Sequence, residues 1–210
     1  MTPSITASQQ AALQTAAPAA GMKSASFFGL LLIAEAVFSV VPVIVLGAAI
    51  GWPASLGTPA ARQLAGIAAH PAAVAWGYAV YLVYSMLIAL VMVGLAARTF
   101  GGLGSPLAAT VVVFGALSAL ARCIGEVLGV SLFMAAALGT LCVGSLVQGA
   151  MPGWLSGLGC AGALALLGLA SPVVGGPQVV PVAGAVSLLS VWMLAAGLWT
   201  LKSRRQVAHV

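Results

Sequence analysis

The stretch that decides the fold is the apolar run Leu107–Met151, LAATVVVFGALSALARCIGEVLGVSLFMAAALGTLCVGSLVQGAM. A hydrocarbon core about 30 Å thick is crossed by about 20 helical residues, so this run suits two crossings and is too long for one. We predict a turn at Gly129-Val130-Ser131, with spans at Leu107–Leu128 and Ser131–Ala150.

The composition of the whole chain agrees with burial in lipid. Hydrophobic residues make up 62% of the 210 residues and charged residues only 4%, and the mean hydropathy is +1.19. Since a soluble domain carries about 25% charged residues, this chain has too few to cover a surface in water. Apolar runs outside the deciding stretch predict four more spans, at 26–50, 72–97, 154–170 and 182–201. The predicted fold is all-α, a bundle of six transmembrane helices over residues 25–203.

The segments outside the spans set the predicted topology. Residues 1–24 are predicted to be a disordered cytoplasmic tail, 204–210 a basic C-terminal tail, and Ala60–His70 a short surface helix with Thr58 as its N-cap. With both termini in the cytoplasm, five basic residues lie inside and two outside, as the positive-inside rule requires. The inside set is Lys23, Arg98, Lys202, Arg204 and Arg205, and the outside set is Arg62 and Arg122. We therefore predict a multi-pass protein of the cytoplasmic (inner) membrane.

Several chemical functions find no support in the residues. The chain contains no aspartate, so a Ser-His-Asp triad is excluded, and its two histidines, His70 and His209, fall on opposite sides of the predicted membrane. The three cysteines lie singly in apolar runs, which is typical of packing residues rather than metal ligands. The basic residues are scattered and form no nucleic-acid patch. We expect no catalytic residue, no metal and no cofactor.

Small residues recur at helical spacing. Gly157-Leu158-Gly159-Cys160-Ala161-Gly162 matches G-x-G-x-x-G, but it lies inside a span without the strand that a dinucleotide site needs. Gly47-x-x-x-Gly51 and Gly125-x-x-x-Gly129 share the small-residue spacing of packed membrane helices. These positions indicate close helix contact, within the bundle or with a partner membrane protein or a second copy.

The charged residues within the spans are the most informative. Arg122 and Glu126 are one helical turn apart, and the simplest interpretation is that Arg122 extends outward to the interface and pairs with Glu126. Glu35 lies roughly 14 Å into the first span, near the bilayer midplane by helical rise. A charge there is costly and calls for a partner or a function.

A sharper interpretation joins these residues in one site. Glu35 lies some 8 Å below Arg122 by helical rise, within reach of an arginine on a neighbouring helix. We predict a polar cavity open to the outer side, in which the acid that Arg122 does not pair is held neutral by burial. The predicted lining is Glu35, Tyr78, Tyr81, Arg122 and Glu126.

Three functions are then open. The cavity predicts binding of a small solute or a proton, in transport or sensing. The alternative is a structural or regulatory protein that packs against a partner membrane protein without a ligand. A membrane-embedded enzyme acting on a lipid or quinone is third, and the lack of a His/Asp/Glu cluster argues against it.

Three patches of sequence carry a family resemblance. They are Ala119-Leu120-Ala121-Arg122 with Gly125-Glu126-x-Leu128-Gly129, then Pro152-Gly153-Trp154-Leu155-x-x-Leu158-Gly159, and Trp192-x-x-x-x-Gly197. Over residues 25–203 the chain resembles a bacterial family of small six-helix membrane proteins of unknown function. The resemblance implies the six-helix fold and no activity. The loop that such proteins place between spans three and four is nearly absent here.

Overall fold

The computed structural model describes residues 7–53, 55, 58–123, 127–171, 176–177 and 179–207, and all the regular structure in them is helical. The helices are α1 (Ala7–Ile50), α2 (Ala60–Ala69), α3 (Pro71–Thr99), α4 (Pro106–Cys123), α5 (Val127–Gln148), α6 (Gly153–Ala170) and α7 (Val182–Val207). Six of them contain segments long and apolar enough to cross a membrane: Ser26–Ile50, Pro71–Thr99, Pro106–Cys123, Gly129–Gln148, Gly153–Ala170 and Val182–Ser203. The prediction of an all-α chain with six apolar spans is confirmed.

The six long helices form a closed ring. In the order α1, α3, α4, α5, α6, α7, each packs on the next, and α7 returns to pack on α1. Gly29 at the start of the first span lies against Gly197 and Leu201 near the end of α7. The first span therefore begins where α7 ends, and we call this end of the bundle the terminal face. At the opposite end, the loop face, Leu46 of α1 packs on Gly77 of α3, and α2 follows.

Two predicted boundaries differ from the structure. Helix α1 already begins at Ala7, so the prediction of a disordered tail is wrong for residues 7–24. The physical reason is composition, because this segment is rich in alanine, the residue with the highest helix propensity. The predicted turn at 129–131 is wrong, because these residues are helical and belong to α5, which is described from Val127; residues 124–126 lie outside the described part of the chain.

The surface helix is present and begins at the predicted residue, with a different N-cap. It spans Ala60–Ala69, but its N-cap residue is Pro59 and no side chain caps it. The hydroxyl of Thr58 instead donates a hydrogen bond to the carbonyl oxygen of Ser55 at 2.7 Å. The Thr58 cap is therefore wrong, because the hydroxyl is occupied by the preceding turn. The helix α7 extends to Val207, past the predicted start of the basic tail at 204.

Small residues let the helices approach in the core. Trp192 of α7 is fully buried, and its indole nitrogen donates a hydrogen bond to the carbonyl oxygen of Leu155 at 3.0 Å. Gly159 of α6 leaves the space that the Cys142 thiol and the Trp192 ring occupy. The G-x-G-x-x-G segment is thus helix-packing surface, as predicted. Of the other small-residue pairs, Gly51 lies beyond the end of α1 with φ +68°, and Gly125 lies outside the described residues.

A methyl group added at Gly159 should destabilise the bundle. In the variant Gly159→Ala the new Cβ would overlap the Cys142 thiol and lie 2.6 Å from Trp192 Nε1. Overpacking of this kind costs about 1–3 kcal/mol, so we expect a lower midpoint of thermal unfolding in detergent. The control is Gly157→Ala, two residues earlier, whose Cβ would meet no atom within 4 Å. Equal stability of the two variants would contradict the packing described here.

Candidate polar site inside the bundle

Arg122 reaches the middle of the bundle from α4. The α3 and α4 helices run antiparallel, with Met92 against Gly115, and this register brings Arg122 level with Tyr84. The guanidinium carbon of Arg122 lies 4.6 Å from the ring centroid of Tyr84. Since Tyr84 is near the middle of the 29 residues of α3, Arg122 is held at about mid-height of that helix. An arginine over a tyrosine ring is a cation–π pair, which gains strength where water is excluded.

The guanidinium of Arg122 does not extend toward an interface. The residue is 4% exposed, and its Nε and Nη1 atoms have no hydrogen-bond partner among the described residues. The interpretation in which Arg122 extends outward is therefore wrong, because the side chain turns across to the α3 ring. The prediction that Arg122 pairs with Glu126, and that Glu126 lines the site, concerns a residue outside the described part of the chain.

Glu35 on α1 is the second buried ionisable side chain. It is 0% exposed, and neither carboxylate oxygen has a hydrogen-bond partner within the described ranges. Arg122 acts on Glu35 electrostatically, and Tyr84 interacts with both groups. The structure therefore brings Glu35, Tyr84 and Arg122 together from three helices that are consecutive in the ring, α1, α3 and α4.

A column of aromatic side chains connects this group to the loop face. Tyr84 is buried, Tyr81 is half-buried and Tyr78 is exposed. The Tyr81 ring lies 6.1 Å from that of Tyr84 and 5.9 Å from that of Trp52, a residue of the loop after α1. The rings of Trp52, Tyr81 and Tyr84 thus lead from the loop into the bundle, and we call them the aromatic column.

The sequence analysis left Tyr84 out of the predicted lining. The signal that could have found it is the spacing of Tyr78, Tyr81 and Tyr84 at i, i+3 and i+6, which places all three on one side of a helix. Burial increases from Tyr78 to Tyr81 to Tyr84, and this order depends on how α3 packs on its neighbours. Tyr78, which was predicted to line the site, is 42% exposed at the outer end of this row.

The opposite direction, from Glu35 to the terminal face, is filled with apolar side chains. Phe28 and Leu32 lie on α1 below Glu35, and Leu95 and Ala96 lie on the facing part of α3. All four are buried. Arg98 covers this end, with its guanidinium carbon 4.6 Å from the ring centroid of Phe28. The polar group therefore has a packed apolar layer on one side and the aromatic column on the other.

Within the described ranges, the remaining histidine and cysteine side chains form no second cluster. No group of three or more histidine, cysteine, aspartate or glutamate side chains that could hold a metal ion occurs in the described part of the chain. His70 is exposed between α2 and α3. Cys142 is buried in the α5–α6 contact and interacts with Cys160 across it.

No protein-family model, curated protein or solved structure matches this chain. The resemblance to a family of six-helix membrane proteins stays a prediction, and the interpretation of the site rests on its own geometry.

The ring of Tyr84 should contribute to holding Arg122. The variant Tyr84→Leu removes the cation–π contact and should lower the free energy of unfolding by about 2 kcal/mol, the value for a desolvated pair. The control Tyr84→Phe keeps the ring and should lose less. Thermal unfolding in detergent compares them, and an equal loss in both variants would show that the ring does not stabilise the guanidinium.

Proposed function

We propose that this chain is a multi-pass protein of the cytoplasmic membrane that binds a proton or a small solute in a polar site between α1, α3 and α4, in transport or sensing. Glu35 is the proton-binding group and Arg122 the fixed charge beside it. The terminal face is cytoplasmic and the loop face is external. The proposal assigns no catalytic residue.

One observation carries this proposal: a buried carboxyl and a buried guanidinium that interact electrostatically have polar atoms that no described residue satisfies. Polar atoms that are buried in proteins are nearly always hydrogen-bonded, because an unpaired one costs about 1–3 kcal/mol and more when charged. A proton on Glu35, or water or solute between the two groups, removes that cost. Ionisable residues inside a membrane are typical of proton and solute pathways.

The basic side chains support the orientation. Arg98 ends α3 at the terminal face, and Lys202 lies near the end of α7 at the same face. The surface helix α2 at the loop face carries Arg62. An excess of lysine and arginine beside the spans favours the cytoplasmic side, so both termini are assigned to the cytoplasm.

Protonation of Glu35 can be measured directly, because the chain has only two acidic side chains. Infrared difference spectra of the protein in lipid membranes, between acidic and alkaline buffer, should show the C=O stretching band of a protonated carboxyl. We expect Glu35→Gln to lose this band, because the Glu35 carboxyl is buried in the described bundle. The matched control is Glu126→Gln, which should keep it.

Two results would contradict the proposal. One is a wild-type spectrum with no protonated carboxyl band at any pH. The other is a band that persists unchanged in Glu35→Gln.

A second function has a specific observation in its favour. Gly153, Gly157 and Ala161 follow one another at four-residue intervals on α6, and all three are exposed. A Cβ at Gly153 or Gly157 would meet no atom within 4 Å. Small residues at this spacing allow two membrane helices to pack closely. The alternative function is therefore a structural one, in which α6 packs on a second copy or on a partner membrane protein.

The variant Gly157→Leu tests this alternative. A leucine would block close approach at the middle of the small-residue row, so we expect the fraction of cross-linked dimer in native membranes to fall. Ala116→Leu is the control, because Ala116 is an exposed small residue on another helix, α4. If the cross-linked fraction is the same in wild type and both variants, α6 is not the contact.

A further inference from the structure

We propose that the site takes a small monovalent anion at Arg122 together with a proton at Glu35, and that the anion reaches it from the loop face along the aromatic column. This inference rests on the proton-binding site proposed above and adds the class of the solute. It follows from the charge at the site, the unpaired polar atoms and the direction of access.

The charge at the site selects an anion. Arg122 is always protonated in proteins, and it is nine-tenths buried or more, at 4% exposed. The guanidinium carbon lies 4.6 Å from the centroid of the Tyr84 ring, and an aromatic ring is at most a weak acceptor for N–H donors. Nε and Nη1 are without a partner in the described structure. An anion in the guanidinium plane would accept hydrogen bonds from them, whereas a cation would be repelled and an apolar solute would leave them unpaired.

Glu35 makes the binding depend on a proton. An ionised Glu35 would repel a nearby anion, and that repulsion is strong where water is excluded. A protonated Glu35 carries no charge and adds one O–H donor to the site. Anion and proton should therefore bind together, and the coupling is reciprocal: each raises the affinity for the other.

The other titratable and charged groups around Glu35 can be named. The facing part of α3 contributes Tyr81 and Tyr84, whose phenols are ordinarily neutral, and α4 contributes Arg122 and Cys123. The remaining charges on the elements that pack against α1 lie at the ends of the bundle. They are Arg98 of α3, Arg62 of α2, and Lys202, Arg204 and Arg205 of α7. Glu126 lies outside the described residues, and its charge is removed by substitution in the experiment below.

Burial limits the size of the anion. Because Glu35 is 0% exposed and Arg122 4% exposed, the anion that we propose is one of a few atoms and not a metabolite. Access from the terminal face is closed by the buried layer that includes Phe28 and Leu32. The aromatic column ends at Trp52, whose ring lies 5.9 Å from that of Tyr81, so Trp52 fluorescence can report a change at the inner end of the column.

The experiment titrates chloride and formate into the full chain in lipid nanodiscs, with gluconate as a bulky control anion. Tryptophan fluorescence is the readout, and Trp52→Phe identifies the reporting ring. For the wild type we expect saturable binding of chloride or formate, with affinity rising by up to about tenfold for each unit by which pH falls. Glu35→Gln should bind the anion with an affinity independent of pH, and Glu126→Gln should keep the wild-type dependence.

A second measurement can be made on the wild type alone, so its result does not depend on whether the variants fold. A bound anion stabilises the native state, so the unfolding midpoint of the wild type alone should rise with chloride or formate at acidic pH and not with gluconate. Arg122→Gln should lose this anion-dependent rise. A wild type with no anion effect in either measurement overturns the anion site, and an affinity that does not change with pH overturns the coupling.

The two proposals fail separately. If the Glu35 carboxyl band is present without any anion effect, the site binds a proton and the anion inference is wrong. If that band is absent, the proton-binding function itself is wrong, whatever the anion does.

Discussion

The cost of placing ionisable groups in hydrocarbon is the constraint on which this structure depends. Two such groups, Glu35 and Arg122, lie near the middle of the described bundle, 0% and 4% exposed. In hydrocarbon a single charge of this kind costs about 2.5–3.5 kcal/mol on insertion scales. A ring of six helices encloses them away from lipid, and the Tyr84 ring at 4.6 Å stabilises the guanidinium. The polar atoms left unpaired are then the feature that points to a ligand.

The remaining helix contacts pack the six helices closely around Glu35 and Arg122. Membrane helices gain little from hydrophobic association, since lipid is as apolar as their side chains, and they associate by close packing. Gly29 against Gly197, Gly77 against Leu46 and Gly159 against Trp192 are contacts of this kind. Hydrogen bonds add polar links between helices, among them Ser39 with Ser190 at 2.6 Å and Trp192 with the Leu155 carbonyl at 3.0 Å. The packed terminal half lies on one side of Glu35 and Arg122, and the aromatic column at the loop half lies on the other.

Much of the site was predictable because helical rise converts sequence position into depth. Counting residues placed Glu35 near mid-membrane and Arg122 within reach of it. The same counting could not tell which way the Arg122 side chain turns, because both directions lead to polar surroundings from that depth. It also predicted Tyr81 and not Tyr84 to line the site, since the burial of these two rings depends on how α3 is rotated against α1 and α4.

The amino-acid sequence by itself determined that this chain is helical and that it contains six segments long and apolar enough to cross a membrane. The length of an apolar run and its lack of charge can be read from neighbouring residues. Comparing that length with the thickness of the hydrocarbon core then identifies the candidate spans. The helix over 7–24 also follows from a local property, the alanine content of that segment, although the polar composition of residues 1–24 predicts a tail. Only the tertiary structure decided that α7 closes the ring of helices with α1. It also decided that Arg122 turns inward over Tyr84 and that Glu35 is buried in the same bundle interior. Those features depend on the rotation and register of separate helices, which are set by packing between residues far apart in the chain.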